Sequence, residues 1–303
     1  MGELYEELRP KAFGIAYRML GSVGEAEDVV QEAFLRLHRE LEGGARIESP
    51  EAYLVTVVTR LGIDELRSAR ARREVYVGEW LPEPILTAEG DDPARHAEIA
   101  DSLSVGLLVL LETLSPEQRA VFLLREVFEY PYERIAEILG KTVTAVRQLA
   151  VRARRQVAER EPRFETSREQ RDRLTHRFFD AFEKGELEQL EGLLADDVTL
   201  RGDGGGKAPA LARSIRGRVH VARILLAWAR LAERVGGTVQ EVEVNGESGA
   251  LTLDRDGRLI SVITIEVAEG RVQAVNSLVN PEKLRHLGPV GDMRALLEES
   301  RKR

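Results

Sequence analysis

The sequence contains no cysteine, which excludes a disulfide scaffold, a thiolate zinc site and a cysteine nucleophile together. Long apolar runs are missing as well. The longest, around residues 105–111, is far short of the ~20 residues that span a bilayer. The lack of cysteine fits a reduced, cytoplasmic setting, and the opening MGELYEELRP carries no basic-then-apolar leader, so no export segment is expected. Tyrosine is absent after residue 132, although the chain runs to 303 residues. That length exceeds one ordinary domain, and several cores must coexist.

Acidic side chains outnumber basic ones by 52 to 44, a formal net charge of −8, but the distribution of charge matters more than its sum. Residues 75–114 carry one basic and eight acidic side chains, whereas residues 115–160 carry nine basic and six acidic. Within the second block, Lys141 to Arg160 holds six basic residues against one acid. Bunched positive charge is the footprint of a phosphate-backbone binder; a solvated helix face is the alternative.

Up to Arg160 the pattern is helical. Ser22 with Glu25 opens a helix to about Leu41, whose apolar stripe is Ala26, Val29, Val30, Ala33, Phe34 and Leu37. After the Gly43-Gly44 break, Ser49-Pro50 starts a helix ending in Arg67, Arg70, Arg72 and Arg73. Residues 75–93 are rich in proline and acid and lack periodicity, so they are expected to be a linker. Helix is expected again from Ala94, and Ser115-Pro116-Glu117-Gln118 caps another. Four segments follow: 1–74, the acidic linker 75–93, 94–163, and a differently composed 167–303. In the last, helices near 168–184 and 217–235 flank strands at 239–244, 250–253, 259–267 and 272–279. Asn245-Gly246, Asp256-Gly257 and Glu269-Gly270 mark the turns. These features predict an α+β layer: a curled antiparallel sheet with helices on one face.

Between Tyr132 and Val146 the spacing is that of a helix-turn-helix. Ala136 is small where two helices touch, Gly140 allows positive φ at the turn, and Val146 locks the second helix. Thr142 caps that helix, and an inward stripe of Val146, Leu149, Ala150, Ala153 and Val157 leaves Thr144, Arg147, Gln148, Arg152 and Arg155 outward. Arginine and glutamine can read guanine and adenine edges, and the later arginines suit phosphates.

Two stretches then resemble a known family: Ala16 to Leu37 is similar to region 2, and Leu114 to Val157 to region 4, of a bacterial extracytoplasmic-function (ECF) sigma factor. Trp80-Leu81-Pro82-Glu83-Pro84, Asp203-Gly204-Gly205-Gly206-Lys207 and Asn280-Pro281-Glu282-Lys283-Leu284 resemble the motifs of the sigma factor J-like subgroup, which has a fused SnoaL-like C-terminal domain. The implied fold is multidomain: two all-α sigma domains, a region 2 bundle and a region 4 helix-turn-helix, plus an α+β SnoaL-like (NTF2-like) cone with a curved antiparallel sheet. The resemblance implies promoter recognition with core RNA polymerase, with no cofactor and no metal, by a chain that is monomeric when free. It assigns polymerase docking to Asp28, Gln31 and Glu32, which i, i+3, i+4 spacing sets on one helix face. It assigns the minus-ten element to Arg46, Ser49, Arg60, Asp64, Arg67 and Arg70, although many relatives outside the subgroup have Asn at the position of Arg60. Minus-thirty-five reading falls to Thr144, Arg147, Gln148, Arg152 and Arg155. The acidic linker would enter the polymerase channel later used by RNA. The three motifs would hold the C-terminal domain against region 2 and the Trp80 segment, with Asp203 and Lys207 free to pair across the interface.

Two rival readings are a stand-alone helix-turn-helix regulator with a ligand-binding domain, and a SnoaL-like cyclase or isomerase. The second lacks the tyrosine that an enolate-stabilising site of the ketosteroid isomerase type uses, and His176, His220 and His286 are scattered. The glycine loop at 203–207 does not fit a Walker phosphate loop, since its spacing is one residue short and Ala208 lacks a hydroxyl.

Overall fold

The computed structural model describes residues 2–73, 76–87, 104–159 and 168–302. The chain divides into two compact units, residues 1–74 with 89–161 and residues 75–88 with 162–303. Among the described residues no helix is long and apolar enough to cross a membrane.

In the first unit, α1 (Gly2–Leu20), α2 (Val23–Glu42) and α3 (Pro50–Arg73) form a bundle. The Ser22 hydroxyl accepts from the Glu25 N–H, and all six residues of the expected stripe of α2 are buried. Ser49 caps α3 through the Ala52 N–H at 3.2 Å, one residue before Pro50. Then come α4 (Val105–Leu111), α5 (Pro116–Phe122) running into a π turn at Leu123–Val127, α6 (Tyr132–Leu139) and α7 (Val143–Ala158). Ser115 and Gln118 form the reciprocal capping box at the start of α5. The expected helical start near Ala94 lies outside the described residues, which resume at Ser104.

The second unit contains α8 (Arg168–Glu183), α9 (Leu187–Leu193), β1 (Leu194–Asp203), β2 (Ile215–Arg216), α10 (Arg218–Arg234), β3 (Thr238–Val244), β4 (Glu247–Leu253), β5 (Leu259–Ala268), β6 (Arg271–Leu278), α11 (Pro281–Leu284) and α12 (Met293–Lys302). One six-stranded sheet has the order β2-β1-β6-β5-β4-β3. Asn245 and Gly246 both take positive φ (54° and 77°), as do Glu269 and Gly270 (55° and 68°). These are the left-handed pairs that tight hairpins need. The expectation of an all-antiparallel sheet is corrected at one pair, because β1 runs parallel to β6. The chain between them includes α10 and three strands, which is ample for the crossover that parallel pairing requires. Phe178, Phe179 and Phe182 of α8 pack with Leu200, Leu225, Ile263 and Val275 in the main core, each buried side chain contributing about 1.5–3 kcal/mol.

The stretch expected to be a linker is fixed over 76–87. Leu86 bridges Val244, the Thr87 N–H donates to the Glu243 carbonyl at 3.0 Å, and the Asn245 N–H donates to the Ile85 carbonyl at 2.8 Å. Apolar Leu81, Pro82 and Pro84 are buried there, and their burial compensates for ordering an extended chain.

Candidate functional site

The helix-turn-helix is built as its sequence dictates. Gly140 ends α6 with φ 61°, and the Thr142 hydroxyl accepts from the Ala145 N–H to start α7. Val146, Ala150, Ala153 and Val157 turn inward, while Thr144, Arg147, Gln148, Arg152 and Arg155 are all exposed. Arg147 lies over the Tyr132 ring, 5.6 Å from its centroid, with Glu133 at 3.4 Å. Val151 stands among these residues 62% exposed. A surface groove lined by Thr144, Arg147, Gln148, Val151 and Arg152 runs along this face. It offers an amide, guanidinium groups and one aliphatic patch, the groups that read base edges and a thymine methyl.

On α2, Asp28 and Gln31 are exposed and Glu32 is half-buried. Glu32 accepts from Arg36 Nε at 2.7 Å, and this hydrogen bond holds its carboxyl below the usual carboxylate range. Leu35, 42% exposed, completes the face. Of the candidates around α3, Arg46, Ser49 and Asp64 are exposed. Arg60 donates through Nε to the Ile138 carbonyl at 2.8 Å, at the C-terminal end of α6 where the helix dipole favours a cation. Arg67 donates to Asp64 at 3.1 Å and to Glu117 at 2.6 Å. Arg70 lies in the last turns of α3, but its side chain is outside the described residues. Arg36, Arg39, Arg60 and Tyr53 line a cleft of about 390 Å³ between α2 and α3.

In the second unit the three motifs converge. Asp203, at the end of β1, is fully buried. Its carboxylate accepts from the Tyr76 hydroxyl (2.6 Å), the Leu81 N–H (2.8 Å) and Lys283 Nζ (2.7 Å). Lys283 also donates to the Leu81 carbonyl and sits 4.2 Å from the centroid of the Trp80 ring and 5.1 Å from that of Tyr76. A cation between two π-faces and a carboxylate is satisfied without water. Asn280 caps α11 with its Oδ1 and donates from Nδ2 to the Tyr76 hydroxyl at 2.9 Å. Burial, and next the Asp203 hydrogen bond, push the Tyr76 phenol well above its ordinary value. The glycines are obligatory: a Cβ on Gly205 (φ 55°) would lie 2.3 Å from Asn280 Nδ2, and one on Gly204 2.3 Å from the Ala208 carbonyl oxygen. Further along, His286 Nε2 meets the Pro84 carbonyl at 2.8 Å, and the Ile85 N–H donates to Asn245 Oδ1 at 2.9 Å. We call this assembly the linker clasp.

A family model for sigma-70 region 2 matches residues 4–72, and one for sigma-70 region 4 matches residues 104–157. The ECF RNA polymerase sigma factor SigJ of Mycobacterium tuberculosis is 39% identical over 291 residues, covering 92% of this chain and 91% of the relative. The chain belongs to the ECF RNA polymerase sigma factor family. The probable ECF sigma factor SigI of the same species is 31% identical over 89% of this chain and 90% of its own. The crystal structure of M. tuberculosis SigJ superposes with a TM-score of 0.77 at 36% identity, covering 96% of this chain and all of that one.

For this ECF sigma factor the residues expected at minus thirty-five share one open face, and those expected at the polymerase share another. The minus-ten candidates do not form one free surface, since Arg60 and Arg67 are engaged by residues of α5 and α6. Asp203 and Lys207, expected to pair across an interface, each take a partner from the Asn280–Leu284 motif. Lys207 is exposed and pairs with Glu282 at 3.3 Å, while Asp203 is sealed inside and takes Lys283. The tight turn explains this, because the Lys207 and Ala208 N–H groups fold back onto the Gly204 carbonyl and carry Lys207 away from Asp203. Sequence reasoning missed Tyr76, Val151, Leu35, Asn245 and the cleft residues Arg36, Arg39 and Tyr53. Val151 was the one within reach, as it lies i+4 from Arg147 on the same helix face.

Proposed function

We propose that this chain binds core RNA polymerase in the cytoplasm and directs it to promoters, and that its α+β domain governs it in cis by holding the segment that joins region 2 to region 4. The observation that carries the first part is the open, cationic face of α7, with Thr144, Arg147, Gln148, Arg152 and Arg155 side by side and exposed. The remaining roles follow the same reading: Asp28, Gln31 and Glu32 dock polymerase, and the loop at Arg46–Ser49 with α3 handles the minus-ten element. Because Arg60 and Arg67 are tied to α5 and α6, promoter opening must exchange these contacts for nucleic acid. The second part rests on the linker clasp, which fixes 76–87 through a buried ion pair and four further hydrogen bonds from Tyr76, Leu81, Lys283 and Asn280. In this reading the domain binds and does not catalyse.

Run-off transcription with purified core polymerase tests the proposal. Promoter-specific RNA is expected from the full chain, with its yield altered and its start site unaltered when Asp203→Asn loosens the clasp. Absence of specific RNA from both the full chain and a chain ending near residue 163 removes the sigma reading. A shifted start site in Asp203→Asn removes the regulatory one.

A further inference from the structure

Residues 213–234 of the α+β domain carry six arginines against one acid, Glu233, the same balance as Lys141–Arg160 on the helix-turn-helix. Along α10 the charge is sorted by face. Val221, Ala222, Leu225 and Ala229 are buried, while Val219, His220, Arg223, Ala227, Arg230 and Arg234 are exposed. At 3.6 residues per turn these exposed positions fall within about 100° of one another. Arg223, Arg230 and Arg234, spaced seven and then four apart, form one row about 16 Å long. Elsewhere in the second unit Arg201, Arg218 and Arg258 each lie 2.7–2.8 Å from a carboxylate. Arg223 and Arg230 have no hydrogen-bond or ion-pair partner among the described residues. In a chain with 52 acidic side chains, two guanidinium groups left unpaired in one exposed row mark a face open to an external anion.

The chemistry of the face selects the partner. Its apolar members, Val219 and Ala227, are too small to anchor it in a membrane or in the pocket of another protein. Small side chains between cations instead let a rod of repeating phosphates come close. The face also carries no amide or hydroxyl side chain, the groups with which α7 supplements its arginines at Thr144 and Gln148. We propose that the outer face of α10 is a second DNA contact, which grips duplex phosphates without regard to sequence while α7 reads bases. A duplex already held by α7 is presented at high local concentration, so two or three weak ion pairs add to the total affinity. The proposal rests on the reading of α7 as the promoter-binding face for the duplex it meets; the cationic face of α10 does not.

Arg223→Gln with Arg230→Gln removes two charges from exposed sites and leaves the inward face of α10 intact. In the full chain assembled with core polymerase, the pair should lower the slope of log affinity against log salt by about 2. Promoter and scrambled duplexes should lose affinity by the same factor, so the preference for promoter is kept. Arg223→Lys with Arg230→Lys, which keeps the charge, should restore the slope. Ala227→p-benzoylphenylalanine, set among the arginines, should photo-crosslink to the duplex. An unchanged slope in the glutamine variant overturns the proposal. An adduct on a polymerase subunit with none on DNA overturns it in favour of a protein partner, and a loss confined to the promoter sequence makes α10 a base reader instead of a phosphate grip. If the native chain binds scrambled duplex as well as promoter while the slope still falls in the variant, the reading of α7 fails and the α10 contact stands.

Discussion

Lys283 Nζ lies 2.7 Å from Asp203 Oδ2, and both side chains are sealed from solvent, at 9% and 0% exposure. A buried pair of this kind adds little net stability over an apolar pair, yet losing one partner is costly, because the other remains charged and desolvated. The first prediction follows from that asymmetry.

Lys283→Met should lower the stability of the second unit by about 3–5 kcal/mol, read from urea unfolding by circular dichroism. Adding Asp203→Leu should restore part of the loss, since no orphan charge is left. Additive costs in the double variant would show that the two side chains do not depend on one another.

Gly205→Ala should open the clasp. The residue has φ 55°, and its new Cβ would collide with Asn280 Nδ2. We expect a cost of at least about 1 kcal/mol and faster proteolysis within 76–87, while Gly257→Ala, where a Cβ meets nothing within 4 Å, pays only the backbone strain and leaves 76–87 protected. Equal cleavage in both variants would contradict the close approach.

Arg147→Ala should weaken binding at one base position by about 1–3 kcal/mol, as measured on a panel of upstream promoter variants. Arg155→Ala should instead weaken all sequences alike and reduce the salt slope by about 1. A uniform loss for Arg147→Ala would make it a phosphate contact. Replacing thymine by deoxyuridine at the contacted step tests Val151: the methyl deletion should hurt the native chain more than Val151→Ala.

His176 pairs with Glu241, chiefly by a hydrogen bond at 3.0 Å and next by its charge, and its pKa is raised above 6.5. A raised folded-state value means stabilisation that is complete below the unfolded pKa and is lost as pH rises through the folded one. Thermal melting of the second unit should therefore soften slightly from below pH 6.5 toward alkaline pH, and His176→Gln should flatten that change. An unchanged slope in the variant would place the titration elsewhere.

Much of this architecture was legible locally. Caps at Ser22, Ser49, Ser115 and Thr142, the glycine at 140 and the Asn245-Gly246 turn each speak through neighbours a few residues away, and each forms as expected. The three short motifs were legible as units, but their wiring was not. Asp203 meets Lys283 across eighty positions and Tyr76 across 127, and nothing in the sequence says which of two lysines near two motifs will be buried. The parallel placement of β1 is likewise a long-range choice. Val151 was overlooked for a different reason: valine on a helix usually faces a core, and here it faces solvent.

The pairing of Leu86 with Val244 carries a cost for any state in which 76–87 departs. β3 is the outermost strand of the sheet, and the departing segment takes with it the partners of the Glu243 carbonyl and the Asn245 N–H. What stays behind is a raw border with idle backbone groups, the kind of rim onto which another extended chain can zip. Liberated molecules should therefore be adhesive, prone to recapture their own segment or to self-associate, and the time spent open will depend on how quickly something else blankets that rim.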